Sequence, residues 1–367
     1  MKILSISSDR KVFEPGSAVR ARLLQYGRLV DEINVIVFAN RSASFRTESF
    51  PPNIFLYPTN SLGKFSHIIF AIFCALKLKR RGVTVDVVTT QDPFETGLAG
   101  YIIARIFHAR LHIQIHTDVM SAYFGDESLL NRVRVAVAKF LLPRADAVRV
   151  VSERIKKSIR NFVREGVSIT VLPIFVETKN EHTQSAVDLK KKYSQFNKIV
   201  LVASRLAREK NIESVVEAMK VVLVAQPKAG LVIVGDGPEE ERLNDLVAKL
   251  GLEKSVVFEG WQDDLSGYYK SADIFVLSSN YEGYGMTAVE ALSAELPVVM
   301  TDVGCAGEII KDRQNGLIVP VGALQALAEA IEQVLGRKVK LEAKTPILPT
   351  KEEYLAEYKK SWEDALL

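Results

Sequence analysis

Cysteine is nearly missing from this chain of 367 residues: only Cys74 and Cys305 occur, far apart, with no C-x-x-C and no histidine pair nearby. That excludes a disulfide scaffold and a zinc ribbon, and it implies reduced, structural thiols in a cytoplasmic setting. Long apolar runs are missing too. The window Ile68–Leu76 is nine residues, where a membrane-crossing helix needs ~20. The opening MKILSIS runs straight into Ser8-Asp9-Arg10-Lys11, so it reads as a first strand rather than a signal peptide. Proline (13) and glycine (21) are too sparse for a collagen-like or low-complexity chain. What remains, 48% hydrophobic and 25% charged residues, is the balance of a globular protein of two or three domains.

Each half is short of charge of one sign. Residues 1–180 hold 26 Lys and Arg against 15 Asp and Glu; residues 181–367 hold 22 against 29; the whole chain carries +4. A basic first half suits a partner with an anionic surface. Aromatics do not alternate with the cations and no nucleic-acid motif is present, so nucleic acid is not the expected partner. A phosphorylated substrate or an anionic membrane surface fits better. Phe65–Arg81, ending in KLKRR, and Leu129–Arg144, with Arg132, Lys139 and Arg144 beside an apolar stripe, are the stretches suited to lie on lipid. The same stripes would serve equally to face a core.

Short β-rich runs alternate with helical periods along the whole chain. In the first half the strands read as Lys2–Ser7, Asn34–Ala39, Asp86–Thr90, Leu111–His116, Ala147–Ser152 and Ser168–Leu172. In the second they read as Ile199–Ala203, Leu231–Gly235, Ser255–Glu259, Ile274–Ser278, Pro297–Thr301 and Gly316–Val319. Runs such as KIVLVAS and GLVIVG lack polar alternation, as strands buried on both faces should. The pattern predicts an α/β protein with two doubly wound, Rossmann-like domains facing across a cleft. The expected spans are 1–178, joined by a C-terminal crossover helix 351–367, and 179–350, with the polar stretch Glu177–Ala186 as linker.

Glu282-Gly283-Tyr284-Gly285-Met286-Thr287-Ala288-Val289-Glu290 directly follows the strand IFVLSS. The glycines permit tight turns and close approach of a ligand, and a helix beginning near Met286 aims free N–H groups and its positive dipole end at a phosphate. Carboxylates accept hydrogen bonds from vicinal hydroxyls, so Glu290 suits a ribose and Glu282 a sugar ring. Ser204-Arg205-Leu206-Ala207-Arg208-Glu209-Lys210 follows the strand IVLVA and offers cations to a diphosphate from the other side. Gly235-Asp236-Gly237-Pro238 lacks the third glycine of a dinucleotide loop and reads as a strand-to-helix turn with Pro238 at the first helical position.

Together these motifs resemble the retaining glycosyltransferases of family 4, which have the GT-B fold; GDGPEEERL, FEGWQDDLSGYYKSADIFVLSS and VGCAGEIIKDRQNGLIV are similar to that family as well. The resemblance covers nearly the whole second half and, more loosely, the first. It implies that Glu282 and Glu290 form a Glu-x7-Glu motif and that Arg205 and Lys210 hold the donor diphosphate. Glu290 would then hold the ribose, while Glu282 and the segment Gly283, Tyr284, Gly285, Met286 and Thr287 hold the donor sugar. The base would lie near Phe258–Trp261, with Trp261 among its contacts. In the first half, Gly16 stands in the loop where the family brings backbone amides to the diphosphate. His116 ends a strand beside the expected reaction centre, with Asp118 two residues on. Arg20 could reach phosphate, and Gln91-Asp92-Pro93 lies on the same rim. His67, His108, His112 and His182 read as structural or surface residues. Pro173-Ile174-Phe175-Val176-Glu177 departs from the family's Pro-Asn-Gly-Val-Asp.

The implied activity is transfer of a hexose-type sugar from a nucleotide-diphosphate sugar, with His116, Arg205, Lys210 and Glu282 as catalytic residues. The acceptor would be a glycan or lipid-linked molecule in cell-surface polysaccharide or glycolipid assembly. No cofactor is implied, and with no D-x-D anywhere in the chain no metal is expected. The setting is cytoplasmic, with peripheral contact on the inner face of the plasma membrane as an option. A non-catalytic nucleotide-sugar binder of the same fold stays open. A two-domain NAD-dependent dehydrogenase is disfavoured by the missing G-x-G-x-x-G, and a pyridoxal-dependent phosphorylase by the lack of an obvious buried lysine.

Overall fold

The computed structural model describes residues 1–176 and 187–367, so the expected linker Glu177–Ala186 and His182 lie outside the described residues. Two compact units result: Met1–Pro173 together with Pro349–Leu367, and Ile174–Leu348.

The first unit is built on one sheet of eight strands: β1 (Lys2–Ser7), β2 (Glu32–Val37), β3 (Glu48–Phe50), β4 (Ile54–Pro58), β5 (Val87–Thr90), β6 (Arg110–Ile115), β7 (Ala147–Val150) and β8 (Ser168–Val171). Their order is β3-β4-β2-β1-β5-β6-β7-β8, and every pair is parallel except β3 with β4. Its helices are α1 (Ala18–Gly27), α2 (His67–Arg80), α3 (Glu95–Phe107), α4 (Ala122–Glu127), α5 (Leu129–Leu141) and α6 (Glu153–Ile159). Ile3, Leu4, Ile6, Ile36, Val87, Val88 and Ile113 are wholly buried, as expected of strands covered on both faces. Sequence periodicity misses β3 and β4. The first is three residues long, and the second starts just after Pro51-Pro52 and ends in Pro58, which hides a strand behind turn-forming residues.

The second unit carries α7 (Leu189–Lys192), β9 (Lys198–Ala203), α8 (Ile212–Ala225), β10 (Ala229–Val234), α9 (Glu240–Leu250), β11 (Val256–Gly260), α10 (Ser266–Ser271), β12 (Ile274–Leu277), α11 (Met286–Ser293), β13 (Val298–Thr301), β14 (Gly316–Val319) and α12 (Leu324–Leu335). Its sheet runs β11-β10-β9-β12-β13-β14, all parallel. Counted from its first strand this is the order 3-2-1-4-5-6, and the direction of winding reverses between β9 and β12. Ile212, Val215, Val216, Met219 and Val222 form the buried stripe of α8 at helical spacing, packed with Leu327, Ile331 and Leu335 of α12 over the core of that sheet.

The chain then returns to the first unit as α13 (Lys351–Glu363). Thr350 and Glu353 form a capping box at its start. Tyr354, Tyr358 and Trp362, four residues apart, turn inward; the first two meet Arg149, which is only 2% exposed, and Trp362 packs edge-on against Tyr358. The Arg149 guanidinium donates to Gln114 Oε1 (2.8 Å), the Leu172 carbonyl (3.0 Å) and the Tyr354 hydroxyl (3.3 Å), and it lies 4.6 Å from the centre of the Tyr358 ring. Tyr358 donates to the same Gln114 oxygen and stacks on Tyr26 at 4.3 Å. Among the described residues no carboxylate pairs with this buried charge, so neutral oxygens and a π face alone offset its desolvation.

Replacing Arg149 by Met should strand the Leu172 carbonyl and remove the closer of the two donors to the Gln114 oxygen. The expected loss is about 2–4 kcal/mol from the first unit, seen as a lower unfolding midpoint and protease cleavage ahead of α13. An unchanged midpoint would show that the aromatic contacts hold α13 without the charge.

Candidate functional site

In a parallel sheet the loops that leave two diverging neighbours open toward one another, and the carboxyl ends of β9 and β12 are such a pair. The loop after β9 ends in a short 3-10 turn, Arg208–Lys210, closed by Asn211 in the left-handed region. The loop after β12 runs from Ser278 to Gly285. Ser278 Oγ donates to the Lys210 carbonyl (2.8 Å) and the Asn280 N–H to the Glu209 carbonyl (2.8 Å), so the loops are stitched through backbone. Across that seam Lys210 Nζ meets Glu282 Oε1 at 2.6 Å, and Ser279 Oγ donates to the same oxygen at 2.8 Å. The lysine and glutamate side chains are 21% and 12% exposed.

Arg205 shares this loop but not this arrangement. Its side chain is 65% exposed and pairs with Glu209. The loop rests on Gly235-Asp236-Gly237: Leu206 N–H donates to the Asp236 carbonyl at 2.7 Å, and a Cβ on Gly235 would stand 2.0 Å from the Ser204 oxygen. Pro238 precedes Glu239, the N-cap of α9, so it does not occupy the first helical position. The GDGP turn is therefore a backbone seat for the cationic loop.

Gly285 caps α11 at φ +89°, a conformation that favours glycine. Met286 and Thr287, the first residues of the helix, are half-buried, and their N–H groups have no acceptor within it. Gly283 and Tyr284 are buried. The Tyr284 ring is packed inside, where burial and Cys305 raise its phenol pKa, so this residue offers a ligand only backbone. Cys305 is itself a free, buried thiol, pushed up to about 12 chiefly by burial. One turn into α11, Glu290 Oε2 accepts from the Tyr269 hydroxyl at 2.9 Å. Tyr269, on α10, is a site residue that motif reading misses. Only its place in the paired tyrosines Tyr268-Tyr269 could have suggested it. Trp261 follows β11 with its ring 63% exposed and its Nε1 donating to Asp263.

On the first unit, His116 directly follows β6 and is half-buried. Burial, then the nearby Arg149 and Arg22, lower its pKa to about 3, so its imidazole is neutral and able both to donate and to accept. His112, inside β6, is lowered to about 3 in the same way by burial and Arg149, and its Nδ1 lies 2.8 Å from Thr89 Oγ1. Gly16 sits exposed at φ +80° ahead of α1. Other first-half candidates are engaged inside the fold. Arg20 binds Glu48 (2.9 Å) and the Val12 and Phe13 carbonyls through Nε and Nη2 and lies over Phe50, so three of its five donors are spent inside the fold. Asp118 accepts from Ser158 Oγ at 2.9 Å and from the N–H groups of Met120 and Ser121, organising its own turn. Asp92 caps α3 through Phe94 and Thr96, and Gln91 holds Ser7.

Residues 188–353 match the family model of glycosyl transferases group 1, and residues 26–180 match that of glycosyltransferase family 4. The N-acetyl-alpha-D-glucosaminyl L-malate synthase of Bacillus anthracis is 25% identical over 84% of this chain and 81% of its own. The lipopolysaccharide core biosynthesis mannosyltransferase LpsB of Rhizobium meliloti is 27% identical over 65% of this chain and 71% of its own. Among solved structures, HepE of Anabaena in complex with UDP aligns with 100% of this chain and 96% of its own at 19% identity and a TM-score of 0.70. Sucrose-phosphate synthase from Thermosynechococcus elongatus aligns with 100% and 95% at 19% identity and a TM-score of 0.72. At such identity the likeness is one of fold, and the fold is GT-B: two Rossmann-like domains with parallel sheets. Among the described residues no helix is long and apolar enough to cross a membrane.

His112 and His116 hold a proton more weakly folded than unfolded, where the ordinary value is 6.5. Their contribution to stability is intact above 6.5 and is lost as the pH falls from there toward 3. Side-chain nitrogen shifts of both rings should stay those of neutral imidazole from pH 8 to pH 5. A midpoint near 6.5 for His116 would overturn this reading of its surroundings.

Proposed function

We propose, for a chain that belongs to the GT-B glycosyltransferases of group 1 and family 4, that it moves a hexose-type sugar from a nucleoside-diphosphate sugar to a glycan or lipid-linked acceptor, with retention of anomeric configuration. The observation that carries this reading is the Lys210–Glu282 pair at 2.6 Å, which joins the two switch-point loops of the second unit beside the start of α11. The names of the relatives agree with it: one is a mannosyltransferase, and HepE was solved with UDP-glucose.

Cleavage of the donor's anomeric bond places growing negative charge on the leaving diphosphate. Lys210, with Arg205 from the same loop, supplies cations to that charge, and the N–H groups of Met286 and Thr287 supply dipoles. The ammonium of Lys210 also holds the Glu282 carboxylate in place, leaving Glu282 Oε2 to accept from a donor-sugar hydroxyl. Tyr269 fixes Glu290 so that its carboxylate can accept from the two ribose hydroxyls. The base lies toward Trp261. On the first unit, neutral His116 hydrogen-bonds a sugar hydroxyl without repelling the oxocarbenium-like centre, as a charged imidazolium would. The acceptor oxygen attacks the face from which the diphosphate departs, and the diphosphate oxygen itself takes the acceptor's proton. Gly16 admits substrate close to backbone. The reaction needs no bound metal, and the protein works in the cytoplasm at the inner face of the membrane.

Thermal-shift screening against UDP-, GDP- and ADP-sugars, followed by NMR of the product anomer, tests the reading. One nucleotide sugar should raise the midpoint, the product should keep the donor's anomeric configuration, and EDTA should leave the rate unchanged. Lys210→Met should lower kcat/KM by roughly 100- to 1,000-fold, while Glu290→Gln should act mainly on donor KM. No shift with any nucleotide sugar, or full activity of the Lys210 variant, would reject it.

A further inference from the structure

β11 ends in an irregularity. Ile233 of β10 stands opposite Phe258 and Val234 opposite Gly260, so Glu259 faces no residue of β10 and the strand bulges by one. Bulges are rare in parallel pairs, and where they occur they re-aim the chain. Gly260 completes the turn at φ +67°, a value that favours glycine, and its carbonyl accepts from the Gly235 N–H at 2.8 Å. The chain then leaves the sheet with Trp261 exposed and its indole tied to Asp263. Gln262 Nε2 bonds back to the Glu259 carbonyl at 3.1 Å.

The extra residue carries a charge, yet it is turned inward. The Glu259 side chain is 5% exposed and crowded with donors: Lys192 Nζ (2.7 Å) and the Tyr268 hydroxyl (3.1 Å) meet Oε2, and the Tyr193 hydroxyl meets Oε1. Burial alone would raise this carboxyl. The lysine and the two phenols outweigh it and hold the group below the usual carboxylate range, so an anion is kept inside. These donors come from α7, the residue after it, and α10. The next residue on α10 is Tyr269, whose hydroxyl holds Glu290 of α11 at 2.9 Å. Consecutive side chains on a helix diverge by about 100°, so two adjacent phenols reach two different carboxylates. One short helix thereby ties the bulge at the end of β11 and the carboxylate on α11 to a common frame.

We infer that Glu259 is a positioning residue for nucleobase selection. It touches no base itself. By pinning the bulge it fixes where Gly260, Trp261 and Gln262 stand relative to Glu290, and that spacing decides which base fits beside a ribose held there. A loop free to shift would follow a purine or a pyrimidine alike, whereas a pinned loop leaves the polar edge of the wrong base unpaired. The proposal rests on the nucleoside-diphosphate donor of the preceding reading and names what selects its base.

Isothermal titration of the full chain with UDP, GDP and ADP, in wild type and two variants, tests it. Wild type should favour one nucleotide over the other two by about tenfold or more. Glu259→Gln should shrink that preference by about tenfold, chiefly by weakening the favoured nucleotide. Tyr193→Phe keeps the carboxylate and its lysine, and it should shrink the preference in the same direction by a smaller factor. This milder variant also keeps the test open if the Glu259 variant does not fold. An undiminished preference in the folded variants would overturn the proposal and leave the donor reading intact. Equal weakening of all three nucleotides would show a merely structural role and overturn it as well, and so would a wild type without any base preference. If no nucleotide binds the wild type, the donor reading itself fails and takes this one with it.

Discussion

Lys210 and Glu282 stand far apart in sequence and meet because β9 and β12 are neighbours whose connections leave in opposite directions. One strand sends the chain toward β10 and β11, the other toward β13 and β14, and between them two loops are left open at the sheet's carboxyl edge. Everything proposed for the second unit depends on that divergence. The ion pair spans it, Ser278 and Asn280 stitch it, and α11 begins beside it. A cation placed on either loop alone would sit on solvent, as Arg205 largely does. Placed across the seam, Lys210 is held by a carboxylate that is itself held by Ser279, and this reduces the reorganisation required when a charged ligand arrives.

The first unit handles charge in the opposite way. In and beside its sheet stand a buried guanidinium that pairs with no carboxylate among the described residues, two histidines kept neutral, and amide and hydroxyl groups chained through Thr89, Gln114 and Tyr358. Burial, and after it the positive charge of Arg149 and Arg22, denies His116 its proton over the ordinary pH range. The second unit thus joins its two rim loops through an ion pair, while the first buries a cation offset by neutral oxygens and a π face.

Much of this was legible in the sequence, and the reasons are local. KIVLVA and GLVIV have no polar alternation and can only be central strands, and the dense apolar runs bounded by turn residues reveal all six strands of the second sheet. β3 and β4 were hidden by brevity and flanking prolines. The two loops at the switch point could be named because glycines and cations follow apolar strands directly. Their mutual contact could not, since which strands become neighbours is a property of the whole sheet. Arg20 and Asp118 show the reverse limit: a charged residue at a strand or helix end looks available until the carbonyls and hydroxyls that occupy it are seen. Tyr269 went unnoticed because its partner, Glu290, is 21 residues away on another helix.

The return of α13 to the first unit has a consequence for biosynthesis. A ribosome releases the first sheet early, but the helix that covers Arg149 emerges only after the whole intervening unit has been made. Until then the nascent first unit carries an open polar face where Tyr354 and Tyr358 belong. The later-made unit is thus the one free to mature first, inverting the usual amino-to-carboxyl order of domain maturation.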